Sequence, residues 1–164
     1  MYFQAIQKLD ALFLASICAV SLAAQAFSTP AEAVTHDGHA EMGPHKGVLI
    51  ELGDEEYHAE LVSDEKTHTA TIYLLDGAVQ KSVPIEAKDI TISLKHDGKT
   101  ESFKLKAVPQ KGDPAGLSSV FSLKDPELIH DLRGKSSEPR LLVKIKGKPY
   151  SAMIVFAPKP ESKR

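Results

Sequence analysis

The sequence predicts an all-β protein, an antiparallel β-sandwich of seven or eight short strands with one short helix. Runs rich in Val, Ile, Thr, Tyr and Leu follow one another between residues 47 and 156, and turn residues separate them at intervals of ~8–12 positions. Within residues 89–96, Ile90, Ile92 and Leu94 alternate with polar side chains, which is typical of a half-buried strand. A small closed barrel is the alternative architecture.

The strands are predicted in order along the domain at residues 47–52, 56–63, 67–75 and 89–96, in a returning strand that carries residues 102–107, and at residues 117–124, 141–145 and 150–156. Asp97 and Gly98 form a pair suited to a type I′ hairpin, because both central positions of that turn need a positive φ. Gly147 and Lys148 predict a second tight connection. Residues 109–116, with two Pro and two Gly, predict an exposed loop.

The helix is predicted within residues 125–134 because both of its ends are marked. Asp125 suits the N-cap, Pro126 suits the first helical position, and Gly134 suits a left-handed stop. Its apolar stripe consists of Leu128, Ile129 and Leu132.

The first 33 residues are interpreted as an export signal. Lys8 precedes an apolar run at residues 11–24, which is shorter than the ~20 residues that span a bilayer. Small-residue cleavage patterns place the cut after Ala26 or Ala33, and we favour Ala33 because a polar, Pro-containing stretch leads to it. The mature protein is therefore expected in the periplasm or outside the cell, with no stable membrane span.

Composition excludes several classes of function. Cys18 is the only cysteine and lies in the signal, so disulfides, thiolate catalysis and Cys-based zinc sites are excluded after cleavage. With 20 Lys and Arg against 22 Asp and Glu, and with the lysines spread along the strands, no nucleic-acid partner is expected. No phosphate-binding glycine loop or hydrolase motif is present, so no organic cofactor is expected.

Residues 34–46 predict a flexible arm, and residues 157–164 a disordered tail. The arm contains His36, His39 and His45 together with Asp, Glu and Met donors. Imidazole suits Zn, Cu and Ni, and a thioether adds a preference for Cu(I). Cleavage after Ala33 would place His36 third in the chain, where the terminal amine, two amides and the imidazole can hold Cu(II) or Ni(II) in a square plane.

His58 and Glu60 are the other candidates for chemistry. They project from the same face of a strand, and their spacing matches that of zinc deaminases, although the cysteine pair those enzymes require is absent. A solvated strand face is the alternative interpretation, and the one we favour for this pair.

Two stretches, G-P-H-K-G-V at residues 43–48 and Y-H-A-E-L-V at residues 57–62, resemble motifs of a group of small exported bacterial proteins. A similar P-H-G-G segment opens the N-terminal β-domain of periplasmic adaptor subunits of heavy-metal efflux pumps. The resemblance implies a β-sandwich, an envelope location and a role in metal handling, with His45, His58 and Glu60 as the matching residues. Lys46 departs from the pattern, which has glycine there, and its ammonium group would repel a cation beside His45.

The sequence therefore predicts a non-enzymatic exported protein with domain boundaries at residues 47 and 156. Its predicted function is weak binding of a Cu, Zn or Ni ion, or an accessory role in metal efflux, through His36, His39, His45, His58 and Glu60. The alternative is an envelope protein–protein binding module with no metal role, in which edge strands or the loop 109–116 contact another protein.

Overall fold

The computed structural model describes residues 41–96, 98–132, 134 and 137–156. Eight antiparallel strands and one short helix make up the regular structure in this part of the chain. In chain order they are β1 (Val48–Leu52), β2 (Tyr57–Asp64), β3 (Thr69–Asp76), β4 (Asp89–His96), β5 (Lys99–Ala107), β6 (Val120–Lys124), α1 (Pro126–Asp131), β7 (Arg140–Ile145) and β8 (Lys148–Met153).

The strands form one continuous sheet in the order β1-β2-β3-β6-β5-β4-β7-β8. The sheet is nearly closed, because its two end strands, β1 and β8, lie close to each other. The prediction of an all-β fold with one short helix is confirmed. Because the one sheet curls around its own core, the architecture lies between the sandwich and the small barrel that the sequence left open.

Alternation along the strands builds the core, because every second side chain points to the inner face. On β4 the inner residues Ile90, Ile92 and Leu94 are buried, as the pattern predicted. The other strands and the helix contribute a matching set, which includes Ala59, Leu61, Ala70, Ile72, Leu74, Phe103, Leu105, Phe121, Leu128, Ile129, Leu132, Leu141, Val143, Ile145 and Tyr150.

A polar clasp joins the β1–β2 turn to β8 where the sheet nearly closes. Glu56 Oε2 accepts hydrogen bonds from Lys148 Nζ at 2.6 Å and from the Tyr150 hydroxyl at 2.8 Å. These two bonds lower the pKa of the Glu56 carboxyl. Tyr57 packs edge-on against Tyr150, with ring centroids 5.7 Å apart.

The sequence predicts both ends of the helix from their residue types, and the structure confirms the N-terminal end. Asp125 caps the N-terminus, because its Oδ1 accepts from the N–H groups of Glu127 and Leu128, and Pro126 is the first helical residue. The prediction for the C-terminus is wrong. The C-cap residue after Asp131 is Leu132, which is right-handed and whose N–H is bonded to the Leu128 carbonyl, and Gly134 does not adopt a positive φ.

The two predicted hairpins agree with the structure to different degrees. The β4–β5 hairpin pairs His96 with Lys99, and Gly98 has φ 76°, whereas Asp97 lies outside the described residues. In the β7–β8 hairpin the pair with positive φ is Lys146 (48°) and Gly147 (84°), because Ile145 is paired with Lys148. The predicted connection there was therefore one residue too late.

The prediction of a flexible arm at residues 34–46 is corrected for its last six residues. Residues 41–46 are not a free segment, because the Leu49 N–H donates to the Glu41 carbonyl and Met42 bridges to Val48. They form an extension of the β1 end of the sheet. The predicted signal and its cleavage sites, His36, His39 and the tail 157–164 lie outside the described residues.

No helix in the described part of the chain is long and apolar enough to cross a bilayer.

Candidate functional site

The candidate site is built on a tight turn that leads into β1, formed by residues 43–47 and here called the histidine turn. The Gly43 N–H donates to the Gly47 carbonyl at 3.0 Å, and the Lys46 N–H donates to the Gly43 carbonyl at 2.9 Å. Lys46 has φ 64°, a left-handed conformation that costs a non-glycine residue about 1–2 kcal/mol. The glycine of the resembling motif would adopt this conformation without that cost.

Glu60 on β2 fastens the histidine turn to the sheet. Its Oε1 accepts from the backbone N–H groups of His45, at 2.7 Å, and Gly47, at 2.8 Å. Its Oε2 lies 2.7 Å from Nδ1 of the His45 ring. These contacts supply donors to a carboxylate whose side chain is 0 % exposed, which removes the large penalty of burying an unpaired charge.

The His45 ring is held on its flat side as well as at its edge. It stacks on Tyr73, with centroids 3.8 Å apart and ring planes within 8° of parallel. Tyr73 is the cross-strand partner of Glu60, so β2 and β3 place the carboxylate and the aromatic surface next to each other. The side chain of His45 remains 44 % exposed, so part of the ring is accessible to solvent.

The contact with Glu60 favours one tautomer of His45. An ionised carboxylate only accepts hydrogen bonds, so the tautomer that fits the 2.7 Å contact carries its hydrogen on Nδ1. In the neutral ring, Nε2 then carries the lone pair. A carboxylate bound to one imidazole nitrogen is the arrangement that commonly orients histidines whose other nitrogen binds a metal.

Two glycines of the turn are required by close packing. A Cβ added to Gly43 would lie 2.4 Å from Cδ of Glu60, and a Cβ added to Gly47 would lie 2.4 Å from the Leu61 carbonyl oxygen. The G-P-H-K-G and Y-H-A-E-L-V motifs are therefore two halves of one contact. In the sequence, only their joint occurrence in the resemblance connects these two motifs.

His58 and Glu60 do not lie on a solvent-exposed strand face, so the interpretation of this pair as part of a solvated face is wrong. His58 is 7 % exposed and Glu60 is 0 % exposed. Glu60 is covered by the histidine turn, and His58 lies between Glu51 of β1 and Leu75 of β3, its cross-strand partners. A solvated face was predicted because alternation shows which side chains share a face but not what covers that face.

His58 has a buried ring nitrogen, Nδ1, with no hydrogen-bond partner among the described residues. His58 also has a small effect on the pKa of Asp76 on β3. The pKa of Asp76 is lowered chiefly by hydrogen bonds from the N–H groups of Gln80 and Lys81, and only slightly by the charge of His58.

The five predicted metal ligands do not come together as one group in the described part of the chain. His36 and His39 lie outside it, and His45, His58 and Glu60 are not among the groups of three whose ligand atoms lie within 4.8 Å of one another. The group that meets this distance is Glu101 of β5 with Glu127 and Asp131 of α1, all on the surface or partly exposed. Surface carboxylates often cluster in this way without binding an ion.

Comparisons with protein-family models, with curated proteins and with solved structures find no match for this chain.

Proposed function

We propose that this is an exported, non-enzymatic protein that binds a transition-metal ion weakly through Nε2 of His45, together with His36 and His39 of the preceding segment. The observation that supports the proposal is the 2.7 Å contact between Nδ1 of His45 and Oε2 of Glu60. It leaves Nε2, on a ring that is 44 % exposed, as the nitrogen that can donate to an ion.

Imidazole donors favour Zn(II), Cu(II) and Ni(II) over the hard cations Mg(II) and Ca(II). His45 is one ligand on a rigid support, and His36 lies nine positions before it, so the chain can reach back to complete the coordination. Holding three separate side chains around one ion costs conformational entropy, which is why the affinity is expected to be weak. A carrier or efflux accessory protein must release its ion, and weak binding suits that role.

The proposal excludes Glu60 from a catalytic role. Its two oxygens already accept from two backbone N–H groups and one imidazole, and the side chain has no exposed surface. A general base needs a free oxygen within reach of a substrate proton. The carboxylate therefore serves to orient His45.

Titration calorimetry with Zn(II) and Cu(II) tests the metal role. We expect about one ion per chain, with affinity about tenfold weaker or more for His45→Ala. The matched control is His130→Ala, which removes an exposed histidine on α1 that lies apart from the histidine turn. Equal binding by the wild-type protein and His45→Ala would overturn the assignment of His45. Unchanged heats after replacement of His36, His39 and His45 together would overturn the metal role altogether.

Export is tested separately, by mass spectrometry of the protein recovered from the cell envelope and the medium. We expect a chain that begins at Val34, with Phe27 as the alternative start. A chain that retains residues 1–26 would contradict the proposed export and would leave the metal assignment to the calorimetry.

A further inference from the structure

A basic face lies on the outer side of the sheet, away from the histidine turn. It consists of Lys95 on β4, Lys104 and Lys106 on β5, and Arg140 and Lys144 on β7, all of them exposed. They occupy the positions that alternate with the buried Leu94, Phe103, Leu105, Leu141 and Val143. Pairing of β5 with β4 and of β4 with β7 gathers on one face lysines that lie far apart in the sequence.

The charge on this face is strongly unequal. The carboxylates that stand among the five cations are Asp89, whose Oδ2 lies 3.2 Å from Lys106 Nζ, and Glu138, whose N–H donates to the Lys95 carbonyl. An excess of positive charge on one face attracts an anionic partner although the whole chain has a formal charge of −2.

The sheet opens at one end of the basic face. The β4–β7 ladder pairs Ser93 with Arg140 and Thr91 with Leu142, and then stops. By the same register the next pair would be Asp89 and Lys144. The peptide groups of Lys144 face β4, because those of its neighbours Val143 and Ile145 pair with β8. Among the described residues, the β4–β7 register ends before it reaches Lys144.

A cavity of about 490 Å³ occupies this gap, a volume within the range of ordinary ligand sites. Its wall includes the buried side chains Ile90, Val143 and Tyr150, and its outer part includes Leu142 and Pro149. Leu142 is 38 % exposed and adds an apolar side chain to the outer part of the cavity. The gap therefore combines backbone groups outside the ladder with an apolar interior. Its charged lining residues are Lys144 and Asp89, and it lies beside the other cations of the basic face.

We propose that the gap between β4 and β7 is a docking site for an extended acidic peptide segment of another protein, which pairs with the open backbone at Lys144. An extended chain supplies both the donors and the acceptors that an open strand edge needs. Its side chains alternate, so one apolar side chain can enter the cavity while flanking carboxylates meet Lys104, Arg140 and Lys144. A lipid headgroup has acceptors for the lysines but no backbone N–H for the Lys144 carbonyl.

The site is separate from the proposed metal role, and it is tested on metal-free protein in the presence of a chelator. The probe is a short fluorescent peptide that alternates glutamate with valine, followed by polarisation. We expect Arg140→Glu and Lys144→Glu each to weaken binding about tenfold. Lys111→Glu reverses an exposed charge in the loop 109–116 and is expected to leave binding unchanged. Circular dichroism verifies that each variant is folded.

NMR titration and N-methylated peptides test separately whether the peptide pairs with the strand edge at Lys144. Titration with the peptide is expected to shift the amide resonances of Asp89 and Lys144, and methylation of alternate peptide nitrogens is expected to weaken binding at least about tenfold, because it removes donors to the open edge. Ser151 lies on β8 opposite Leu142 of β7, and Ser151→Trp is expected to fill the cavity and block binding. Equal binding of a lysine–valine peptide, or binding to phosphatidylglycerol vesicles without binding to the acidic peptide, would overturn the proposal.

Discussion

Nδ1 of His45 lies 2.7 Å from Oε2 of Glu60, and this contact joins the turn before β1 to the centre of β2. The same carboxylate holds the backbone N–H groups of His45 and Gly47, so one buried side chain fixes both the fold of the turn and the orientation of the imidazole. Stability of the turn and orientation of the imidazole thus depend on a single residue, so replacement of Glu60 is expected to affect both.

Glu60→Ala is expected to lower the free energy of unfolding by about 2–4 kcal/mol, because it leaves two backbone N–H groups without their charged acceptor. Urea denaturation followed by circular dichroism measures the change. Glu51→Ala on the neighbouring strand β1 removes an exposed carboxylate and is expected to change the value by less than about 0.5 kcal/mol. Equal losses for the two variants would contradict the anchoring role of Glu60.

Gly43→Ala is expected to destabilise the protein by about 1–3 kcal/mol, because its Cβ would lie 2.4 Å from Cδ of Glu60 and would push the carboxylate off the turn. The matched control is Gly112→Ala in the loop 109–116, where a Cβ would meet no atom within 4 Å. Thermal denaturation of the two variants, compared with the wild type, shows whether the close approach at Gly43 is real. A tolerated Gly43→Ala would refute it.

Lys46→Gly is expected to stabilise the protein by about 0.5–1 kcal/mol, because relief of the left-handed strain at φ 64° exceeds the added entropy of the unfolded chain. Lys46→Ala keeps the Cβ and should give no such gain. Both variants remove the ammonium group beside His45, so both should bind Zn(II) more tightly in calorimetry. If the alanine variant is stabilised as much as the glycine variant, the backbone explanation fails.

Asp76→Asn tests a predicted dependence of stability on pH. Hydrogen bonds from Gln80 and Lys81 lower the folded-state pKa of Asp76 below its ordinary value of 3.8. A lowered folded-state pKa contributes stability that is fully present above the unfolded-state pKa and is lost as the pH falls through the folded-state pKa. We therefore expect the wild type to be more stable than Asp76→Asn at neutral pH, with the difference shrinking as the pH falls below 3.8 in urea denaturation at several pH values. A difference that stays constant with pH would contradict this.

The sequence predicted the strands well because alternation and turn residues act locally. Ile90, Ile92 and Leu94 are buried where the pattern placed them, and Asp125 and Pro126 begin the helix. Local signals failed where a residue's conformation depends on the packing around it. Gly134 follows the helix without the left-handed stop its residue type favours.

The candidate site was harder to predict, because its parts meet only in three dimensions. The sequence singled out His45, His58 and Glu60, but it could not show that the turn covers Glu60 or that Tyr73 stacks on His45. The lysines of the basic face likewise look scattered along the chain, and only the order of the strands brings them together.

¹⁵N NMR of the histidine rings tests whether Glu60 holds Nδ1 of His45 and leaves Nε2 to bind a metal ion. In metal-free protein at neutral pH, we expect the neutral His45 ring to carry its hydrogen on Nδ1. On addition of Zn(II), we expect the Nε2 resonance of His45 to shift while Nδ1 keeps its hydrogen. A neutral His45 ring with its hydrogen on Nε2, or a ring whose resonances do not change while Zn(II) binds elsewhere, would refute the assignment of His45.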